Sequence, residues 1–250
     1  GLCHPNIVRY FMSYTGTGKR SSNFNIVMEL LDGGSLAEQV GTLLSEEVLM
    51  RWLKQLAGAL TYMHEEARVL HRDLKPENVL LSSKGQIKII DVGLAVVIQR
   101  SVAVRSKVGT STYASYEKAN GKPYDGRDDV WALGCIMLEL LCRVRLTCCL
   151  NNYFDKDINA ERTRCLQAGK ALCGASMGLL LVSTMEPAQE QRIRASALYG
   201  QIIILGSAAA DAAVERSSIA TSLPVPPVQP PAVPSVLAAT THASLVRLFE

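Results

Sequence analysis

The sequence has 250 residues, 48% hydrophobic and 20% charged, which is material for one sizeable globular core plus an accessory segment. A net charge of +3 is too small to argue for a nucleic-acid or membrane surface, which needs Lys and Arg clustered on one face, and decides nothing about partners by itself; no nucleic-acid or membrane partner is expected. Seven cysteines, an odd number without paired Cys-x-x-Cys spacing or matching histidines, read as free intracellular thiols and not as a zinc site.

The chain opens on Gly1-Leu2-Cys3-His4-Pro5 with no initiator Met and no basic-then-apolar leader, so it reads as truncated at its start. Ile7 to Met12 and Asn25 to Leu31 suit two partner strands, the second stopped by Asp32-Gly33-Gly34. Between them, Gly16 to Ser21 lacks the spacing of a phosphate loop and reads as a hairpin loop. Ser45 followed by Glu46 and Glu47 resembles a helix start, and Val48, Trp52, Leu56, Leu60 and Met63 recur at helical spacing up to a stop just before His71. Ile87 to Ile90 reads as a short strand and Asp129 to Leu141 as a buried helix. Ala195 to Val214 is the most apolar long stretch, but Gln201, Gly206 and Asp211 interrupt it, which favours a helix packed on the domain over a membrane span. The run from Pro224 to Pro234 cannot form a helix or a central strand and reads as a linker or extended tail. Two strands followed mostly by helices is an α+β arrangement.

Chemistry concentrates in His71-Arg72-Asp73-Leu74-Lys75-Pro76-Glu77-Asn78, followed, 18 residues after Asp73, by Asp91-Val92-Gly93 directly behind a strand. One Asp in a loop is ordinarily a turn former or a cap. The whole string resembles the eukaryotic protein kinase family, whose signature set is a known template. Phosphoryl transfer needs an aligned hydroxyl, a countercharge and metal ions bridging phosphate oxygens. The resemblance implies that Asp73 orients the substrate hydroxyl, Lys75 approaches the γ-phosphate, and Asn78 with Asp91 holds Mg²⁺ through oxygen ligands. It further implies Met28 as gatekeeper, backbone groups of Glu29 and Leu31 against the adenine of ATP, Leu80 under the ring, and the Glu77 carbonyl near the ribose. Gly109-Thr110-Ser111-Thr112-Tyr113-Ala114-Ser115-Tyr116-Glu117 resembles the family's substrate-docking loop and its closing Glu, and Asp129 to Gly134 resembles the helix that anchors the catalytic loop. Arg192, in Glu190-Gln191-Arg192-Ile193-Arg194, is expected to pair with Glu117.

The spacing of Gly109-Thr110 and of Asp129 to Cys135 is most like NIMA-related kinases, and Ser106, three residues before Gly109, stands where that pattern has its activating phosphorylation site, with Arg72 as its partner. Lys75 and Thr110 favour Ser or Thr over Tyr as acceptor in protein substrates. Residues 1–200 are expected to form the kinase domain and residues 201–250 an apolar, Pro-rich tail, partly disordered, whose segment 224–234 suits an SH3- or WW-type partner. The glycine-rich loop, third-strand Lys and following Glu of the template would precede Gly1, so residues 1–250 alone are expected to show no measurable transfer. A cytoplasmic or nuclear serine/threonine kinase is the leading reading, and a catalytically silent binding module or a truncated gene-model fragment is the alternative. Val92, where the family usually has Phe, and Tyr116, where it has Pro, depart from the pattern.

Overall fold

The computed structural model describes residues 2–17, 22–92, 95–97, 104–105, 107–146, 150–151 and 156–220. Ser106, Gly93 and the proline-rich run 224–234 lie outside the described residues. The architecture is α+β: a small two-stranded antiparallel sheet precedes a mostly helical body, and further such sheets follow, in chain order, between two of its helices. β1 (Tyr10–Thr17) pairs with β2 (Ser22–Met28), so the hairpin arms take in Gly16 and Thr17. The first strand begins later than the sequence suggests because Ile7 and Val8 are drawn elsewhere. Ile7 is buried and bridges Ile89, Val8 N–H donates to the Ile89 carbonyl at 2.9 Å, and Ile89 N–H returns to Asn6 at 2.9 Å. β2 likewise stops at Met28 and not at Leu31, since Glu29 N–H closes on the Arg9 carbonyl at 2.9 Å, where β1 has run out.

After the short α1 (Leu36–Gln39), α2 (Glu46–Thr61) starts on Ser45, whose side chain accepts from Val48 N–H. Its apolar stripe, including Leu49, Trp52, Leu53, Leu56 and Leu60, is fully buried. The helix widens into a π turn at Tyr62–Glu66 and then ends, short of His71, because Arg68 adopts φ 56° and the chain turns into β3 (Val69–Leu70). β3 pairs with β6 (Val96–Val97), and β4 (Val79–Leu81) pairs with β5 (Ile87–Ile89). The catalytic-type string thus runs from β3 through a 3₁₀ turn at Pro76–Asn78 into β4.

α3 (Tyr116–Ala119) leads to α4 (Arg127–Cys142), which is buried on every side from Asp128 onward. That explains its lack of amphipathic pattern: α2 covers one face and α5 (Lys156–Leu172) and α6 (Ala175–Thr184) another. Gly134 permits the close α4–α6 approach, since a Cβ there would lie 2.5 Å from Thr184 Oγ1. α7 (Ala195–Ala220) packs on α2 through buried Leu198 and Ile202, and it runs continuously across residue 200. Among the described residues no helix is long and apolar enough to cross a membrane.

Candidate active site

Asp129, at the start of α4, is buried and binds the catalytic string by its backbone. Its two oxygens accept the N–H groups of His71 (3.0 Å) and Arg72 (2.9 Å), and His64 Nε2 lies 2.8 Å from Oδ2. Burial alone would raise this carboxyl, but the hydrogen bond and charge of His64, the His71 ring and the Arg72 N–H reverse that and bring it down to about 2. His71 is itself buried, its Nε2 2.9 Å from the Ile90 carbonyl. Held between α4 and the end of β5, Arg72 adopts φ 70°, a conformation a non-glycine residue keeps only where its surroundings impose it.

Next to it, Asp73 is ligated on both oxygens. Thr110 donates its N–H (2.7 Å) and hydroxyl (2.9 Å) to Oδ1, while Lys75 Nζ lies 3.1 Å and Asn78 Nδ2 3.3 Å from Oδ2. Lys75 also donates to Thr110 Oγ1 at 3.0 Å, closing a ring of three side chains. Burial opposes ionisation of Asp73, yet the Thr110 and Lys75 hydrogen bonds outweigh it and hold the group below the ordinary carboxylate range. Gly109 makes this approach possible. It has φ 93°, and a Cβ on it would stand 2.3 Å from the Arg72 carbonyl oxygen and 3.1 Å from Asp73 Oδ1.

Asn78 spends Nδ2 on Asp73, on the backbone carbonyl at 2.8 Å as well as on Oδ2, which leaves its amide oxygen directed away from that carboxylate. Its backbone carbonyl accepts Ile90 N–H at 2.9 Å and so brings Asp91, at φ 57° and exposed, beside it. One amide oxygen and one carboxylate are a hard-oxygen donor set of the kind Mg²⁺ takes while keeping waters and substrate phosphates.

Asp91 and Met28 line one cavity of about 640 Å³ between the β1–β2 hairpin and the end of β5, together with Phe11, Phe24 and Val92. Its size and apolar walls suit a small ligand. Val92, smaller than the Phe the resemblance implies, is half-buried against the core. Glu29, Leu31, Leu80 and Glu77 are not part of this lining. The Glu29 side chain is held by Lys88 Nζ at 2.6 Å, and neither the Glu29 carbonyl nor the Leu31 N–H has a hydrogen-bond partner among the described residues. Leu80 is half-buried opposite Lys88. Glu77 is capped by Arg145, which also reaches Tyr113 Oη at 3.0 Å; Tyr113 in turn donates to buried Glu139 at 3.0 Å.

Arg192 and Glu117 meet in the interior, Nη1 to Oε1 at 2.6 Å. Sequence reasoning missed His64, Glu139, Arg145 and the buried pair of Lys118 with Asp128. A lysine directly after Glu117, which closes the docking-loop motif, was the available signal for the last of these.

A family model described as the protein kinase domain matches residues 1–198. The chain is similar to mouse Serine/threonine-protein kinase Nek10, 39% identical over 145 residues, 56% of this chain and 13% of that protein. It is similar to human Serine/threonine-protein kinase Nek5, 38% identical over 143 residues, 55% of this chain and 20% of that protein. A Dictyostelium discoideum protein named Probable serine/threonine-protein kinase nek2 is 35% identical over 177 residues, 68% of this chain and 40% of that protein. The chain therefore spans well under two thirds of the length of each of these relatives.

Proposed function

The chain belongs to the eukaryotic protein kinase family, resembling its NIMA-related members, and on that premise we propose that it transfers the γ-phosphoryl group of ATP to Ser or Thr hydroxyls of protein substrates. The observation that carries this is the ring around Asp73: a carboxylate kept ionised and aimed by Thr110, Lys75 and Asn78, on a loop whose backbone Asp129 holds. Asp73 is the acceptor for the proton of the incoming hydroxyl, and its fixed direction aligns the attacking oxygen. Because its basicity is low, its main contribution is orientation. Lys75 supplies a positive charge next to that oxygen, where negative charge spreads over the transferring group.

Asn78 and Asp91 would hold Mg²⁺ through oxygen. The ion would supply positive charge that offsets part of the charge of the phosphate oxygens. The candidate ATP site takes in the cavity lined by Met28 and Asp91 and, outside that lining, the Glu29 carbonyl and Leu31 N–H as backbone groups for adenine, both without a hydrogen-bond partner among the described residues, with Leu80 beneath the ring and the Glu77 carbonyl by the ribose. Ser106 is proposed as the activating phosphorylation site on its sequence position alone, with Arg72 as partner. The proline run 224–234 is proposed as an extended ligand for an aromatic groove, on composition alone.

The test uses a protein that carries, ahead of this chain, the template's glycine-rich loop, third-strand Lys and following Glu: transfer of labelled phosphate from ATP to a generic protein substrate, followed by phosphoamino-acid analysis. Phosphoserine and phosphothreonine are expected, with the label lost in Asp73→Asn. Label that survives Asp73→Asn, or that sits mainly on tyrosine, overturns the reading.

A further inference from the structure

Three separate elements converge on the backbone of Arg72, the residue just before Asp73. The Arg72 N–H donates to Asp129 on α4, the Arg72 carbonyl packs against the Gly109 backbone, and the same carbonyl accepts a hydrogen bond from Lys118 Nζ on α3. Lys118 is only 4% exposed. Its ammonium also pairs with Asp128 Oδ2 at 2.9 Å, and the other Asp128 oxygen accepts Ser115 N–H at 3.0 Å.

A buried ammonium and a buried carboxylate each lose their hydration, and an apolar pair of similar volume would serve the packing between α3 and α4 at least as well. Packing therefore does not explain why position 118 carries a charge. An apolar side chain could not, however, bond the Arg72 carbonyl. That carbonyl belongs to a residue at φ 70°, whose conformation must be imposed from outside, and Asp73 is the next residue along. Asp129 fixes the peptide between His71 and Arg72 by its N–H; Lys118 is the donor that fixes the next one, between Arg72 and Asp73, by its carbonyl.

We propose that Lys118 is a positioning residue for Asp73, with Asp128 as the counter-ion that lets it stay charged in the interior. The inference rests on the phosphoryl-transfer reading above. It also means that α3, which ends the loop carrying Thr110, and the catalytic string are set by one cation, so a shift of α3 moves the Asp73 carboxylate with it.

The experiment uses, in the same longer protein, the double variant Lys118→Met/Asp128→Leu, which removes both charges and so leaves neither buried alone. Urea unfolding checks that it folds, and kcat and the KM for ATP are measured against wild type and Asp73→Asn. The expected result is a folded protein whose kcat falls about 10- to 100-fold, the cost of a misplaced reacting group, while the KM for ATP stays within about twofold. Hydrogen exchange at the amides of residues 72–74 should quicken in the variant. Wild-type kcat in the folded double variant, or a rise in ATP KM equal to the fall in kcat, overturns the positioning role. Wild-type protein no faster than Asp73→Asn refutes the phosphoryl-transfer reading and removes this inference with it, so the two failures are told apart.

Discussion

Removing the Arg192 guanidinium should cost a large part of the stability of the whole helical body. In the structure its nitrogens donate to Glu117 Oε1 (2.6 Å) and Oε2 (3.3 Å), to the carbonyls of Glu186 (2.7 Å), Pro187 (3.1 Å) and Arg127 (3.1 Å), and the group stands 5.0 Å from the Trp131 ring. Arg192→Met keeps most of the stem volume but leaves the buried Glu117 carboxylate without its countercharge and three carbonyls without a donor. One-sided loss of a buried pair costs about 3–5 kcal/mol. The Trp131 contact contributes up to ~2 kcal/mol more, though such figures do not add fully among neighbours. Against a typical domain stability of ~5–15 kcal/mol, a loss of about 3–5 kcal/mol removes from about a fifth to all of it. Urea unfolding followed by far-ultraviolet circular dichroism would read this as a lower midpoint at unchanged slope. Arg192→Met/Glu117→Leu, which removes both charges, should recover most of the loss. A single variant within ~1 kcal/mol of wild type, or a double variant no better than the single, would refute the reasoning, because the pair would then be solvated and not internal.

Asp129 titrates at about 2 against an ordinary 3.8, so its folded form is depressed; its stabilisation, ~2 kcal/mol, is complete above pH ~4 and is lost as pH falls from there toward 2. Acid titration of stability should therefore show a shallower slope in that window for Asp129→Asn than for wild type. Gly109→Ala should fold but lose about 10²-fold in kcat, since its Cβ would push on the Arg72 carbonyl and Asp73; rates at saturating ATP check this. Arg143 caps the end of α4 at φ 59°, a position glycine fills without strain, so Arg143→Gly should raise stability by up to ~1 kcal/mol in urea unfolding.

How much of this was legible in the sequence follows from the range of the interactions. The catalytic string and Asp91 could be read because each role there belongs to a residue at a fixed offset on one short loop, and the structure indeed ties Asn78 to Ile90 through a single backbone bond. The start of α2 was equally local: Ser45 accepts from Val48, three residues on. Its end was not, because the π turn and the φ 56° of Arg68 carry no sequence signature. The first strand was misplaced for a tertiary reason, since the apolar Ile7 satisfies a strand pattern and a bridge to Ile89 equally well. Nor could composition say that the apolar stretch after Ala195 would lie on α2, because a helix that is apolar along its length has no face that points to its partner.

Asp128 and Asp129 bring the limit of sequence reading to a single point. Two acids in the first turn of a helix are explained by the helix dipole and by solvent, and only the resemblance, which begins the anchoring helix at Asp129, separates them. In the structure both are buried, and their carboxyls move in opposite directions. Burial pushes Asp128 up, with Lys118 and Ser115 opposing it only in part, whereas His64, His71 and two backbone N–H groups bring Asp129 down against the same penalty. The difference lies in what each one holds. Asp129 meets fixed backbone donors of the catalytic string, and Asp128 meets a lysine that must itself be kept charged. The more costly of the two arrangements is retained where its cation reaches the Arg72 carbonyl, so the energetic anomaly and the geometric contact identify the same residue.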